Sequence, residues 1–155
     1  MPKKTIYFAC VHSHLSYAGL ILGTAPDSCT QQIAKTQDKA IRILSNARYN
    51  ASVNPLYKRH HILKMRDIFD MQAAAYGWKF INNNLPKAIA NKLTRGSIRS
   101  LQIHCRRYDS TTLKQLSPID YITRTWNEIP MEMKRAKSLD SFKKAFINAK
   151  IETYV

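Results

Sequence analysis

Apolar residues in this chain recur at spacings of three and four, the period of a helix that hides one side. From Thr5 to Leu22, the residues Phe8, Val11, Leu15, Ala18 and Leu22 fall on one stripe, apolar enough to be largely buried, and Gly23 marks a stop. Pro26-Asp27-Ser28 reads as a turn in which Asp27 or Ser28 caps the next helix. That helix, Thr30 to Asn46, has Ile33, Gln37, Ala40, Ile41 and Leu44 as its inner face, with Lys35, Lys39 and Arg42 pointing away from it. Asn54-Pro55 predicts a further helix start, with Asn as cap and Pro at the first position. A third long helix, Met65 to Asn82, carries Met65, Ile68, Phe69, Gln72, Ala73, Tyr76 and Phe80 at helical period, and its run of three alanines permits close approach by a neighbour.

Beyond it the pattern thins. Leu85-Pro86 begins a short helix through Leu93, and Thr94 to Ser97 reads as a loop. Leu101, Ile103 and Cys105 alternate with polar neighbours, which makes this the one strand-like stretch. Ser117-Pro118 is a cap-and-proline start for a helix carrying Tyr121, Ile122 and Trp126. Pro130 ends the Trp126-Asn127-Glu128-Ile129 segment. Ser138 then opens a final basic helix, to about Ile151, with Leu139, Phe142 and Phe146 at helical spacing. Trp126, Pro130, Phe142 and Phe146 together form a docking device: a large aromatic, a fixed turn, and a helix that returns to the core. The expected fold is mainly α, with at most one short β element near residues 100–106. The expected organisation is a helical region over 1–93 and a basic region over 94–155, packed together as one unit.

Composition narrows this. The chain has 155 residues, of which 45% are hydrophobic, enough for a real core. Only 4 are glycines, which argues against a turn-rich β fold and against glycine-rich phosphate loops. Three widely spaced cysteines, Cys10, Cys29 and Cys105, make a poor disulfide framework and suit a reducing compartment. An intracellular location, cytoplasm or nucleus, is therefore expected. The start, Lys3-Lys4 before Ile6 to Val11, resembles a weak signal peptide, but His12, Ser13, His14 and Ser16 interrupt its apolar stretch. No apolar run is long enough to span a bilayer, and no membrane partner is expected.

The formal charge is +15. A folded domain this basic usually meets a polyanion, although a solvated charged face looks the same in sequence. Basic residues lie with aromatics in three groups: Arg42, Arg48, Tyr49, Tyr57, Lys58 and Arg59; Arg99, Arg106, Arg107 and Tyr108; and, without a tyrosine, Lys134, Arg135, Lys137, Lys143 and Lys144. Lys and Arg neutralise phosphates, and Tyr rings stack on bases or sugars. The candidate phosphate contacts are Arg42, Arg48, Lys58, Arg59, Arg99, Arg106, Arg107, Lys134, Lys143 and Lys144, and the expected partner is RNA or a DNA duplex. Catalytic and metal candidates are absent from this reading. Cys10, His12 and His14 do not share one helix face, and His60-His61 and His104-Cys105 are adjacent pairs that rarely hold one ion. Only 10 acids are present, with no paired aspartates after an aromatic. No metal and no cofactor is expected.

Four segments carry a resemblance: Val11 to Tyr17 (VHSHLSY), Gln37 to Leu44 (QDKAIRIL), Asn54-Pro55-Leu56-Tyr57 through Ile62 to Ile68, and Trp126-Asn127-Glu128-Ile129-Pro130 with Ser138 to Lys144. In this order and spacing they resemble the C-terminal region of reverse transcriptases from non-LTR (LINE-type, jockey-like) retrotransposons. The resemblance covers most of the chain. It implies a helical thumb and the segment after it, placed downstream of the polymerase palm. The palm's metal-binding aspartates and the endonuclease domain have no counterpart here. Two departures stand out. Relatives often carry Trp-Gly after the first helix, where this chain has Leu22-Gly23, and a glycine shortly before the Trp-Asn pair, where residues 119–125 have none.

The expected function is a non-catalytic fragment of such an enzyme that binds template–primer or RNA weakly and without sequence preference. The alternative is a remnant with a structural or protein-interaction role, once packed on a palm. A single basic face favours the first. An exposed apolar patch on the first or third helix favours the second.

Overall fold

The computed structural model describes residues 3–96, 101–105 and 117–154. Its fold is mainly α. The chain divides into two compact units, residues 1–69 with 147–155, and residues 70–146. This division does not fall at residue 94, where the helical pattern of the sequence breaks. The break in helical pattern there is a small hairpin inside the second unit, and the two long helices that reach both units have no break in pattern to betray a boundary.

In the first unit the N-terminal segment is three short helices, α1 (Lys3–Tyr7), α2 (Ser13–Tyr17) and α3 (Gly19–Leu22), with a π-helical turn over Phe8–His12. The Ser13 amide donates to the Phe8 carbonyl, five residues back. The Ser13 hydroxyl bonds the Ala9 carbonyl, four residues back. The extra residue in that turn shifts the buried face by one position. Tyr7, Leu15 and Gly19 are buried, whereas Phe8, Ile6 and Ile21 are exposed. The continuous buried stripe expected from Phe8 to Leu22 is corrected accordingly: the π turn displaces its first half and a break at Ala18 (φ −117°) its second.

Helix α4 (Asp27–Leu44) buries Gln37 and Ile41. Gln37 is the polar centre of this unit. Its amide donates to the Tyr7 hydroxyl (2.9 Å) and the Leu63 carbonyl (3.0 Å), and its oxygen accepts from the Met65 amide (2.7 Å). All four hydrogen-bonding groups are buried, so each bond also avoids a desolvation cost. Helix α5 (Asn54–His60) has Pro55 in its first turn and ends at His61 in a left-handed conformation, φ 55°. Asn54 lies inside this helix and its preceding residue, Val53, makes no side-chain cap. Tyr57 of α5 donates to Asp38 (2.9 Å). Helix α6 (Met65–Ile81) contributes its first turn, with Ile68 and Phe69 fully buried. The chain's end returns here: the Lys64 amide donates to the Tyr154 hydroxyl (3.0 Å), which itself bonds Asp67, and Lys150 pairs with Asp67 at 3.1 Å.

The second unit is built round Trp126. The rest of α6 is followed by a short helix α7 (Lys87–Ala90) and by strands β1 (Leu93–Arg95) and β2 (Ile103–Cys105), antiparallel with Thr94 opposite His104. Strand β2 lies in the stretch that alternates in sequence; β1 was expected to be helix end and loop. Helix α8 (Pro118–Glu128) starts with the Ser117 hydroxyl accepting from the Ile119 amide. Helix α9 (Met131–Lys134) follows Pro130, and α10 (Leu139–Glu152) starts with the Ser138 hydroxyl accepting from the Ser141 amide. Ala74, Trp78, Phe80, Leu93, Ile103, Trp126, Ile129, Phe142 and Phe146 form one core.

Trp126 is wholly buried, its ring 5.9 Å from that of Phe142, and its indole N–H donates to the Leu101 carbonyl (2.7 Å). It lies against Gly77 of α6, where an added Cβ would stand 2.7 Å from the ring. The next residue, Asn127, donates to the Ile103 carbonyl (2.9 Å) and accepts from the Ile103 amide (3.0 Å). Asn127 thus supplies from a helix end the two bonds that a neighbouring strand would supply to β2.

Candidate nucleic-acid interface

Helix α4 ends at Leu44, and its last carbonyls carry the negative end of the helix dipole. Cations gather there. Lys3 of α1 bonds the Asn46 side chain, and Asn46 itself is left-handed, φ 51°. The Arg42 guanidinium donates to the Ala51 carbonyl (3.0 Å), which ties down the loop after the helix. That loop presents Tyr49, 83% exposed. Lys3, Lys39, Arg42, Asn46 and Tyr49, with Ile43 and Ala47, line a groove of about 550 Å³. None of its lining residues is acidic.

The charge extends to α5. The His60 imidazole lies 2.9 Å from the Ser45 hydroxyl. Its pKa is lowered by partial burial and then by the neighbouring charges of Arg59 and Lys4. Burial is the larger cause, and the two cations add to it in the same direction. Lys58 and Arg59 are exposed on α5, and Arg48 is exposed in the loop. In the first unit, Arg42 therefore joins Lys3, Lys39 and Tyr49 in one groove, while Arg59 and Lys4 both act on His60.

Elsewhere the expected contacts behave differently. Lys134 is corrected: it is 5% exposed, and its ammonium donates to the Asn127 carbonyl (3.2 Å) at the end of α8 and stands 5.6 Å from the Trp126 ring centre. Burial lowers its pKa. It caps a helix end and covers the tryptophan, so it has no face to offer a phosphate. Lys143 is half-buried and Lys144 exposed, both on α10 in the second unit. Arg95 of β1, though exposed, donates to the Phe80, Ile81 and Asn83 oxygens around the end of α6. Arg99, Arg106 and Arg107 lie outside the described residues.

Lys3, Lys4 and His60 were not picked out as contacts from the sequence. Their positions in the chain, 3, 4 and 60, carry no common motif; folding places Lys3 in one groove with Arg42, and Lys4 close enough to His60 for its charge to act there. Lys39 had a signal, its place on the outer face of α4. Among the described residues no group of three His, Cys, Asp or Glu side chains could hold a metal ion, and no helix is long and apolar enough to cross a membrane. Compared with family models, with curated proteins and with solved structures, the chain finds no match in any of the three.

Proposed function

We propose that this chain is a non-catalytic nucleic-acid-binding module that holds RNA or a DNA duplex by its phosphates, with little sequence preference. The observation that carries this reading is the groove at the end of α4, where Lys3, Lys39 and Arg42 converge beside an exposed tyrosine with no acid among them. Such a groove suits a phosphate backbone, with Tyr49 free to stack on a base or sugar. Phosphate contacts position a partner without reading its sequence. The resemblance to the region after a reverse-transcriptase palm agrees with a place beside template–primer, and the reading assigns the chain itself no chemical step.

The test is a filter-binding titration against duplex and single-stranded RNA and DNA. Neutralisation of about four to six phosphates makes log K fall with log salt at a slope of roughly −3 to −5. Lys39→Glu and Arg59→Glu, both exposed, are expected to weaken all sequences together and flatten the slope, whereas Lys134→Met leaves it unchanged. Absence of binding at about 50 mM salt by the folded chain rejects the reading, since counterion release favours phosphate contacts most at low salt, and leaves the remnant.

A further inference from the structure

Next to the basic groove, and sharing Lys3 and Ile43 with it, lies a second depression of about 240 Å³. Apart from Lys3 its lining is almost wholly apolar: Ile6, Tyr7 and Val11 from the N-terminal segment, with Ala40, Ile43 and Leu44 from α4. Two of these are out of place for a surface that meets only water. Ile6 is 49% exposed and Ile43 is 72% exposed. They sit on separate elements, α1 and α4, and line the same trough. A polar residue at either place would fold as well, so their exposure is not explained by the core.

A phosphate backbone finds partners only in the basic half of this surface. The apolar half needs aliphatic side chains, and the basic half beside it, with no acid in its lining, needs negative charge. An amphipathic helix with an acidic flank supplies both, its apolar residues at helical spacing entering the trough and its carboxylates facing Lys3, Lys39 and Arg42. We propose that the trough between α1 and the C-terminal half of α4 is a docking site for an acidic amphipathic helix of a partner protein. The docking shares Lys3, Lys39 and Arg42 with the basic groove and differs from nucleic-acid binding in needing the apolar lining of the trough.

The experiment uses the full chain and a labelled synthetic peptide with Leu at positions i, i+3, i+4 and i+7 and Glu between them. Its controls are the same residues scrambled, the same pattern with Lys for Glu, and vesicles containing phosphatidylserine. By fluorescence anisotropy the ordered acidic peptide is expected to bind at least about tenfold more tightly than either peptide control, a difference of about 1.4 kcal/mol. The double variant Ile6→Ser, Ile43→Ser keeps the charge and is expected to lose this preference, and Ile6→Ser alone, at a residue outside the basic groove, is expected to weaken it while RNA affinity stays unchanged. Both positions are exposed, and an unaltered melting temperature confirms the fold of the variant; the single variant Ile43→Ser, at the more exposed site, serves if the double one unfolds. Equal binding of ordered and scrambled peptides overturns the proposal, since charge alone would then suffice. So does peptide binding that survives the loss of both isoleucines, or a double variant that loses only its affinity for vesicles.

Discussion

At the scale of residues, the second unit turns on a contact between a side chain and a missing one. Trp126 occupies the space that a Cβ at position 77 would need. Trp126→Ala is expected to cost about 3–5 kcal/mol through lost burial and the cavity left behind. Gly77→Ala is expected to cost about 1–3 kcal/mol by overpacking against the ring. The two changes are coupled: with the indole gone, the new methyl enters the space it leaves. Urea denaturation of the double variant should therefore show a smaller loss than the two single losses added. Strict additivity would mean that the ring and Gly77 do not meet. Lys134, by contrast, holds a charge in a buried place through one carbonyl and one ring face. Removal of such a charge together with its desolvation cost, as in Lys134→Met, often leaves stability unchanged or improved.

At the scale of elements, short local devices decide where each segment stops and what it pairs with. Two helix starts follow the same logic, Ser117 and Ser138 each accepting a backbone N–H that the helix leaves unpaired. The small sheet depends on a helix end. Asn127 gives β2 two hydrogen bonds through the Ile103 backbone. Asn127→Ala removes both, leaves buried backbone groups unpaired, and is expected to cost about 1–3 kcal/mol for each group left unsatisfied. Amide exchange at Ile103 should accelerate more than at Ile122 of α8, and equal acceleration at both would point to general loosening instead. The N-terminal segment shows how a local insertion overrides a period. Its apolar residues fit a straight helix, yet Ser13 closes a five-residue turn and moves the buried face from Phe8 to Tyr7.

At the scale of the whole molecule, charge dominates. With 25 Lys and Arg against 10 Asp and Glu, a formal charge of +15, most basic groups have no acid to pair with. Three ion pairs join described residues, Arg66 with Asp27, Arg124 with Asp120 and Lys150 with Asp67, and the first is 3.7 Å long between exposed groups. Surface pairs of that kind contribute little, whereas unbalanced charge repels itself in the folded state more than in the expanded one. Raising NaCl from about 20 to about 200 mM shortens the screening length to less than half and should raise the melting temperature. Under the proposed polyanion binding, heparin should also raise it at low salt. A melting temperature that falls over this salt range would show that attractive pairs outweigh the repulsion.

Much of the fold was legible in the sequence because its signals are local. The period of α4 and α6, the serine caps of α8 and α10, the alternation at β2 and the anchoring aromatics Trp126, Phe142 and Phe146 all depend on residues a few places apart. The net charge is a sum and needs no structure. Burial, pairing and convergence depend on residues far apart in the chain, and there the sequence was silent. It did not mark β1, because a strand of three residues has too few positions to show a period. It placed Lys134 among the phosphate contacts, because a lysine over a tryptophan and a lysine in water are the same letter. It did not put Lys3 in one groove with Arg42, or place two exposed isoleucines on one trough, because those neighbours exist only once α1 packs on α4. Helical propensity and patterning thus determined which elements this protein has. Which charges remain free to meet a partner was decided only when packing consumed the others.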